Sequence, residues 1–162
     1  MEQWLEDFRR TIDTASPQLL KLSEEKAGQP RAEDHWSSKQ ILGHLIDSAS
    51  NNHQRFVRAQ FTSDLNFPGY EQDSWVESQQ YETEPWENLV QLWASYNRHL
   101  VHLLSVIPEE PLTRSRSNHN LDKIAFKPVP SSEPTTLEYF ARDYVDHLRH
   151  HLVQIFSEER IH

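Results

Sequence analysis

TTLEYFARDYVDHLRHHLVQI, residues 135–155, is the stretch on which both the fold and the chemistry of this chain turn. Leu137, Phe140, Ala141, Tyr144, Leu148, Leu152 and Ile155 recur at three- and four-residue steps, the spacing of one face of an α-helix. Thr135 with Glu138 three residues later has the form of a capping box, so the helix is expected to start there and run to about Glu158. The stretch also carries His147, His150 and His151. Neutral imidazole is a good ligand for zinc, nickel, cobalt and iron. Two histidines four apart project from one helix face, as His147 and His151 do. Spacing alone also permits His147 with His150. On a helical wheel at about 100° per residue, the apolar residues centre near Leu148. His147 and His151 share a shoulder of that face with Phe140 and Tyr144, and His150 points nearly opposite, toward solvent.

Helical spacing extends outward from this stretch. Residues 2–27 place Trp4, Leu5, Phe8, Ile12, Leu19 and Leu22 on one face, with a kink expected at Pro17. Ser37 and Gln40 make a second capping box ahead of Ile41, Leu42, Leu45, Ile46, Ala49 and Phe56, a helix expected to reach Phe61. A third helix follows Thr83 as N-cap, with Pro85 in its first turn, and closes at Pro108. Between these lie two long connections. Residues 62–82 hold a short helix around Ser74–Gln80, and residues 109–134 are irregular, with a small hairpin at Ile124–Phe126. Four long amphipathic helices with two long connections predict an all-α four-helix bundle, one domain over residues 1–162.

Composition removes several function classes. There are no cysteines among the 162 residues, which excludes disulfides, thiolate metal sites and a cysteine nucleophile. Three glycines and no Gly-rich phosphate motif argue against nucleotide loops. The net charge of −9 repels phosphate backbones, so no nucleic-acid partner is expected. No run approaches the ~20 apolar residues of a membrane span, and the charged N-terminus lacks a signal core, so no membrane partner and a cytoplasmic location are expected.

His44 sits on the flank of the second helix's apolar face, and Ser48, Asn51 and Arg55 continue its stripe. Such a stripe suits a site between helices, and a solvated helix edge has the same pattern. Arg55 would either hold a substrate carboxylate or make a salt bridge to a neighbouring helix. Asp143, four residues before His147, and Asp47, three after His44, are candidates to orient a ligand imidazole, with a solvated surface acid as the plainer reading of each. Asn97 falls on an apolar face and needs partners, either near the site or on an adjoining helix. His35, His53, His99, His102, His119 and His162 lack metal-like spacing and are read as surface residues. H-E-x-x-H is absent, which speaks against a zincin protease. With ordinary imidazole values, metal binding would weaken below about pH 6.5.

The segments Trp36-Ser37-Ser38-Lys39-Gln40-Ile41-Leu42-Gly43-His44-Leu45, Arg55, Trp86–Leu89, Tyr96-Asn97 and Asp143–Ile155 together resemble DinB-like (DinB/YfiT-like) proteins. The closing His147-x-x-His150-His151-Leu152-x-Gln154-Ile155 is the most specific part, and the resemblance spans nearly the whole chain. It implies a DinB/YfiT-like four-helix bundle with a metal site of His44, His147 and His151, usually holding zinc or nickel. Members are commonly described as metal-dependent hydrolases, and better understood relatives transfer or isomerise with low-molecular-weight thiols. The resemblance therefore implies a metal-dependent hydrolase or thiol-dependent transferase acting on a small-molecule substrate, with one divalent metal ion and a low-molecular-weight thiol as cofactors, in a homodimer. Tyr144, Asn97, Asp143, Ser48, Asn51 and Arg55 are then the candidates for pocket or supporting residues. The competing classes are a non-catalytic metal-binding, stress-related module and a purely structural bundle.

Overall fold

The computed structural model describes residues 1–159. Eight α-helices are described: α1 Gln3–Leu19, α2 Glu24–Gly28, α3 Ser38–Arg58, α4 Gln72–Gln79, α5 Trp86–Val106, α6 Glu109–Thr113, α7 Leu121–Ile124 and α8 Leu137–Glu159. No strand is formed among the described residues, only isolated bridges such as Leu65 with His119 and Arg116 with Thr135. The four long helices α1, α3, α5 and α8 form the bundle. α3 packs on α5 and α8, and α1 packs on the same two, so α1 and α3 occupy opposite corners. Phe8, Ile12, Phe56, Trp93, Leu100, Phe140 and Leu148 are among the residues buried between them.

Several helix ends differ from the sequence expectation, each for a tertiary reason. Pro17 sits in the last turn of α1, which stops at Leu19 rather than kinking and continuing to Ala27. Trp86 Nε1 donates to the Leu19 carbonyl at 2.7 Å and satisfies that end. α3 starts as expected, with both halves of the Ser37–Gln40 box present, but ends at Arg58. There Arg116 Nη2 donates to the Ala59 carbonyl at 2.9 Å, a cation at a helix C-terminus. Thr83 does not cap α5. It lies in a short 3₁₀ turn, Pro85 occupies the cap position, and the Glu24 carboxylate from α2 accepts the Trp86 N–H at 2.8 Å. Glu24 is itself held by the buried Lys39. α8 is capped by Thr136, whose Oγ1 accepts from Tyr139 N at 3.0 Å, and not by Thr135. Thr135 is taken up by backbone pairing with Arg116, and Glu138 by Arg142. The expected Ile124–Phe126 hairpin is absent, because Ile124 ends α7 and the Phe126 and Lys127 N–H groups bond to Asp143 instead.

α3 contains one close approach that only glycine permits. A Cβ on Gly43 would lie 2.1 Å from the Tyr81 ring. Tyr81 crosses the helix there and donates its hydroxyl to Asp47 at 2.6 Å. The two long connections are also stitched to each other. Asn120 accepts from Phe67 N at 3.1 Å and donates to the Phe67 carbonyl at 2.7 Å, and Asn66 bonds to Asn118. These contacts fix the walls beside α3 and α8 where the candidate site lies.

Candidate metal centre

α3 and α8 pack face to face, and the contact brings His44 from the first against His147 and His151 from the second. Their ring centroids are 4.6 to 5.1 Å apart. His44 Nε2 and His147 Nε2 lie 3.2 Å from each other, and one ligand atom from each of the three falls within 4.8 Å of the others. His151 Nδ1 donates to Gln154 Oε1 at 2.8 Å, which leaves Nε2 as its lone-pair nitrogen. Gln154 stands three residues after His151 in the same helix, so this support comes from helix geometry alone.

Burial sets the protonation state. His44 is fully buried, and burial, reinforced by His151, pushes its pKa down to about 4. Burial pushes His147 down to about 3, with smaller contributions from His151, His44 and His150. His151 is lowered by burial too, against the Gln154 hydrogen bond, which acts the other way. All three are therefore neutral near pH 7, the form a metal requires. His44 Nδ1 has no hydrogen-bond partner although it is buried. Two imidazole nitrogens 3.2 Å apart suit one shared ion about 2.0–2.1 Å from each. The donor set thus fits a divalent ion, and among the described residues it is the one group of three or more His, Asp and Glu so placed.

A cavity of about 420 Å³ opens beside the histidines. His147 and His151 form one wall with His150; His44 stands behind them. Ser48, Asn52 and Arg55 line the α3 side, Phe140, Asp143 and Tyr144 the α8 side, and Tyr70, Lys123 and Phe126 come from the connections. Ser48, Arg55, Asp143 and Tyr144 are thus brought to the site. Asn51 is not: it donates to the Asp47 carbonyl at 2.9 Å and faces a separate hollow with Phe61 and Pro68. At about 100° per residue, Asn51 falls some 20° to one side of His44, whereas Ser48, Asn52 and Arg55 fall to the other, where the cavity lies. Asn52 takes the expected place and donates to the Ser48 carbonyl at 2.9 Å.

Asn97 is buried as its place on an apolar face implies, whereas Asp143, Asp47 and His119 are more buried than their sequence patterns suggest. Asn97 is fully buried, donates to the Trp93 carbonyl and accepts the Tyr144 hydroxyl at 2.5 Å, so it reaches the site through Tyr144. Asp143 is not a solvated acid: it is 5% exposed and accepts from Phe126 N at 2.8 Å and Lys127 N at 2.7 Å. Burial raises its pKa, opposed by these two bonds. Asp47 is likewise buried, holding Tyr81 and Gln79 rather than an imidazole. His119 is not a surface residue either; its Nε2 donates to the Glu133 carbonyl at 2.7 Å and its Nδ1 accepts from Leu121 N. His53 is half-buried against Tyr96, bonded at 2.9 Å. His150 is exposed as expected, but its ring packs on Phe126 and it borders the cavity. His162 lies outside the described residues. Asn52, Tyr70 and Phe126 carried no recognisable signal, because two of them reach the cavity from connections and Asn52 differs from Asn51 by one position.

A bundle of long helices that turns three neutral imidazoles toward one point defines a helical bundle with a group of ligands that could hold a metal ion. The chain belongs to the DinB superfamily, whose family model matches residues 7–155. A relative from Bacillus mycoides, named "Putative metal-dependent hydrolase", is 23% identical over 97% of this chain and 84% of its own length. One from Oceanobacillus iheyensis with the same kind of name is 24% identical over 71% of this chain and 66% of its own. Among solved structures, YfiT from Bacillus subtilis is described as a probable metal-dependent hydrolase with an unusual four-helix bundle topology. It superposes with a TM-score of 0.74 at 18% identity, covering 99% of this chain and 89% of that one. That likeness extends to the fold, including the bundle expected from the sequence.

Proposed function

We propose that this protein is a metal-dependent enzyme acting on a small molecule, and that it activates a low-molecular-weight thiol for transfer. The observation that carries the reading is the convergence of neutral His44, His147 and His151, the last two in the wall of a cavity. Three protein ligands leave coordination open, the layout of catalytic rather than structural sites. A zinc or nickel ion held there would act as a Lewis acid, lowering the pKa of a bound water or thiol or polarising a carbonyl.

The chain's own residues supply binding and orientation. Gln154 fixes the His151 ring, and Tyr144, pinned by Asn97, forms a rigid wall. Phe140 keeps that side apolar. Hydrolysis ordinarily calls for a general base beside the attacking water. Among the described residues the carboxylate in the cavity wall is Asp143, and it is engaged by two backbone N–H groups. The exposed His150 imidazole in the same wall is then a base for a proton from either a water or a thiol. The thiol reading rests on the absence of cysteine, which means the thiol comes from outside. On this reading the protein works in the cytoplasm, as a homodimer.

The test is turnover by tag-free protein loaded with zinc or nickel. It uses a panel of thiols with a chromogenic electrophile, and a parallel panel of esters and amides without thiol. Turnover that needs both metal and thiol supports the proposal. Metal-dependent hydrolysis without thiol would move the assignment to the hydrolase branch, and tight metal binding with no turnover in either panel would leave a metal-binding module.

A further inference from the structure

Arg55 is a permanent cation, 6% exposed, and it lines the same cavity as His147 and His151. Buried charges are normally paired with an opposite charge. Arg55 is not: among the described residues its side-chain hydrogen bonds go to the Pro68 carbonyl at 2.9 Å and to Asn52 Oδ1 at 3.5 Å, both uncharged. The salt bridge to a neighbouring helix that the sequence allowed is therefore not made. Tyr70 and Phe140 flank the guanidinium, each ring centroid 5.9 Å from Cζ, and hold it in place. A guanidinium offers five N–H donors in a planar fork, so most of them remain for a ligand. The rim adds a second cation, Lys123, and the wall carboxylate Asp143 is already committed to backbone N–H groups.

We propose that Arg55 anchors an oxyanion, a carboxylate or phosphate, so that the cavity takes an elongated small molecule with this anion at one end and its reacting group at the histidines. The proposal rests on the reading of the histidine cluster as a metal-dependent site. The spacing follows from α3 itself. Arg55 comes eleven residues after His44, about 16 Å along the axis, and a helical side chain leans back toward the N-terminus, here toward the histidines. A ligand that reaches both ends needs several bonds between its anion and its reacting atom.

The experiment uses ω-mercaptocarboxylates of increasing chain length, their ω-mercaptoalkyl phosphate counterparts and their neutral amides, titrated calorimetrically into the zinc-loaded full chain. In the wild-type protein one acid or phosphate should bind at least about tenfold more tightly than its amide, the scale of a charge-assisted bond, with an optimum chain length. Arg55→Lys should shrink that preference and Arg55→Met should abolish it, with zinc content and circular dichroism unchanged. Anion and amide binding within twofold of each other at every length in the wild-type protein would overturn the anchor, and this comparison needs no variant. Retention of the preference in Arg55→Met would overturn it as well. A final arm titrates plain alkanoates and alkanamides into metal-free protein. Arg55-dependent preference for the acid there, in a protein that takes up no zinc, would uphold the anchor while refuting the metal site.

Discussion

His150 adjoins His151 in the chain and borders the same cavity, yet it is exposed and stands outside the three-histidine cluster. His147→Ala and His151→Ala should each lower metal affinity sharply, whereas His150→Ala should leave metal content near that of the wild type. Elemental analysis of tag-free protein decides this, and equal losses in all three variants would refute the face assignment. Gln154→Ala should weaken affinity about 10- to 100-fold, as loss of a ligand-orienting bond does. The pH response follows from the depressed imidazoles. With His44 held at about 4 and His147 at about 3, the folded state binds fewer protons than the unfolded chain up to about pH 6.5. The metal-free fold should keep this contribution above pH 6.5 and lose it as pH falls toward 4. For His44 alone the loss is on the order of 3 kcal/mol. The metal competes only with protons on the folded imidazoles, all three of which are depressed, so its stabilising increment should persist below about pH 6.5, where free imidazole values would have it fade. Melting curves with zinc and with chelator between pH 7.5 and 4.5 check this; an increment that vanishes between pH 7 and 6 would mean the imidazoles titrate normally.

Within α3 a single missing Cβ governs how the first long connection lies on the bundle. Gly43→Ala would place a methyl group 2.1 Å from the buried Tyr81 ring, whose hydroxyl is tied to Asp47. Overpacking of this kind costs about 1–3 kcal/mol, and the effect should appear as a lower midpoint in urea. An unchanged midpoint would show that the Tyr81 segment moves away freely. On the opposite side α8 holds residues 126 and 127 through Asp143. Asp143→Ala should cost about 1–3 kcal/mol through two lost acceptors. It should also weaken ligand binding more than metal binding, since Phe126 borders the cavity but is no ligand. Parallel calorimetry with zinc and with a thiol probe separates the two; a variant that loses zinc to the same degree would make Asp143 part of the metal's support.

For the molecule as a whole, a metal held by the three histidines would join two helices whose bundle contact already exists without it, so binding should add to stability rather than create the fold. At a hundredfold excess over the dissociation constant the gain is ~2.7 kcal/mol. Calorimetric scans at pH 7.5 should show one cooperative transition that moves up with zinc and returns with chelator. An identical curve in both conditions would count against an ion that binds only the folded state.

The sequence by itself determined whatever depends on near neighbours along the chain. Helical periodicity located the four long helices, the Ser37–Gln40 box located the start of α3, and a four-residue spacing paired His147 with His151 while turning His150 outward. Each of these is set by the 3.6-residue turn and needs no knowledge of the partner helix. The tertiary structure alone decided what depends on contacts across the chain. Glu24 rather than Thr83 caps α5, Thr136 rather than Thr135 caps α8, and Asn52 rather than Asn51 faces the cavity. Asp143 takes the N–H groups a hairpin would have used, and Arg55 is buried with no counter-charge among the described residues. The physical reason is that a buried donor or charge takes whichever acceptor packing brings within reach, and residues dozens of positions apart leave no periodic trace of that choice.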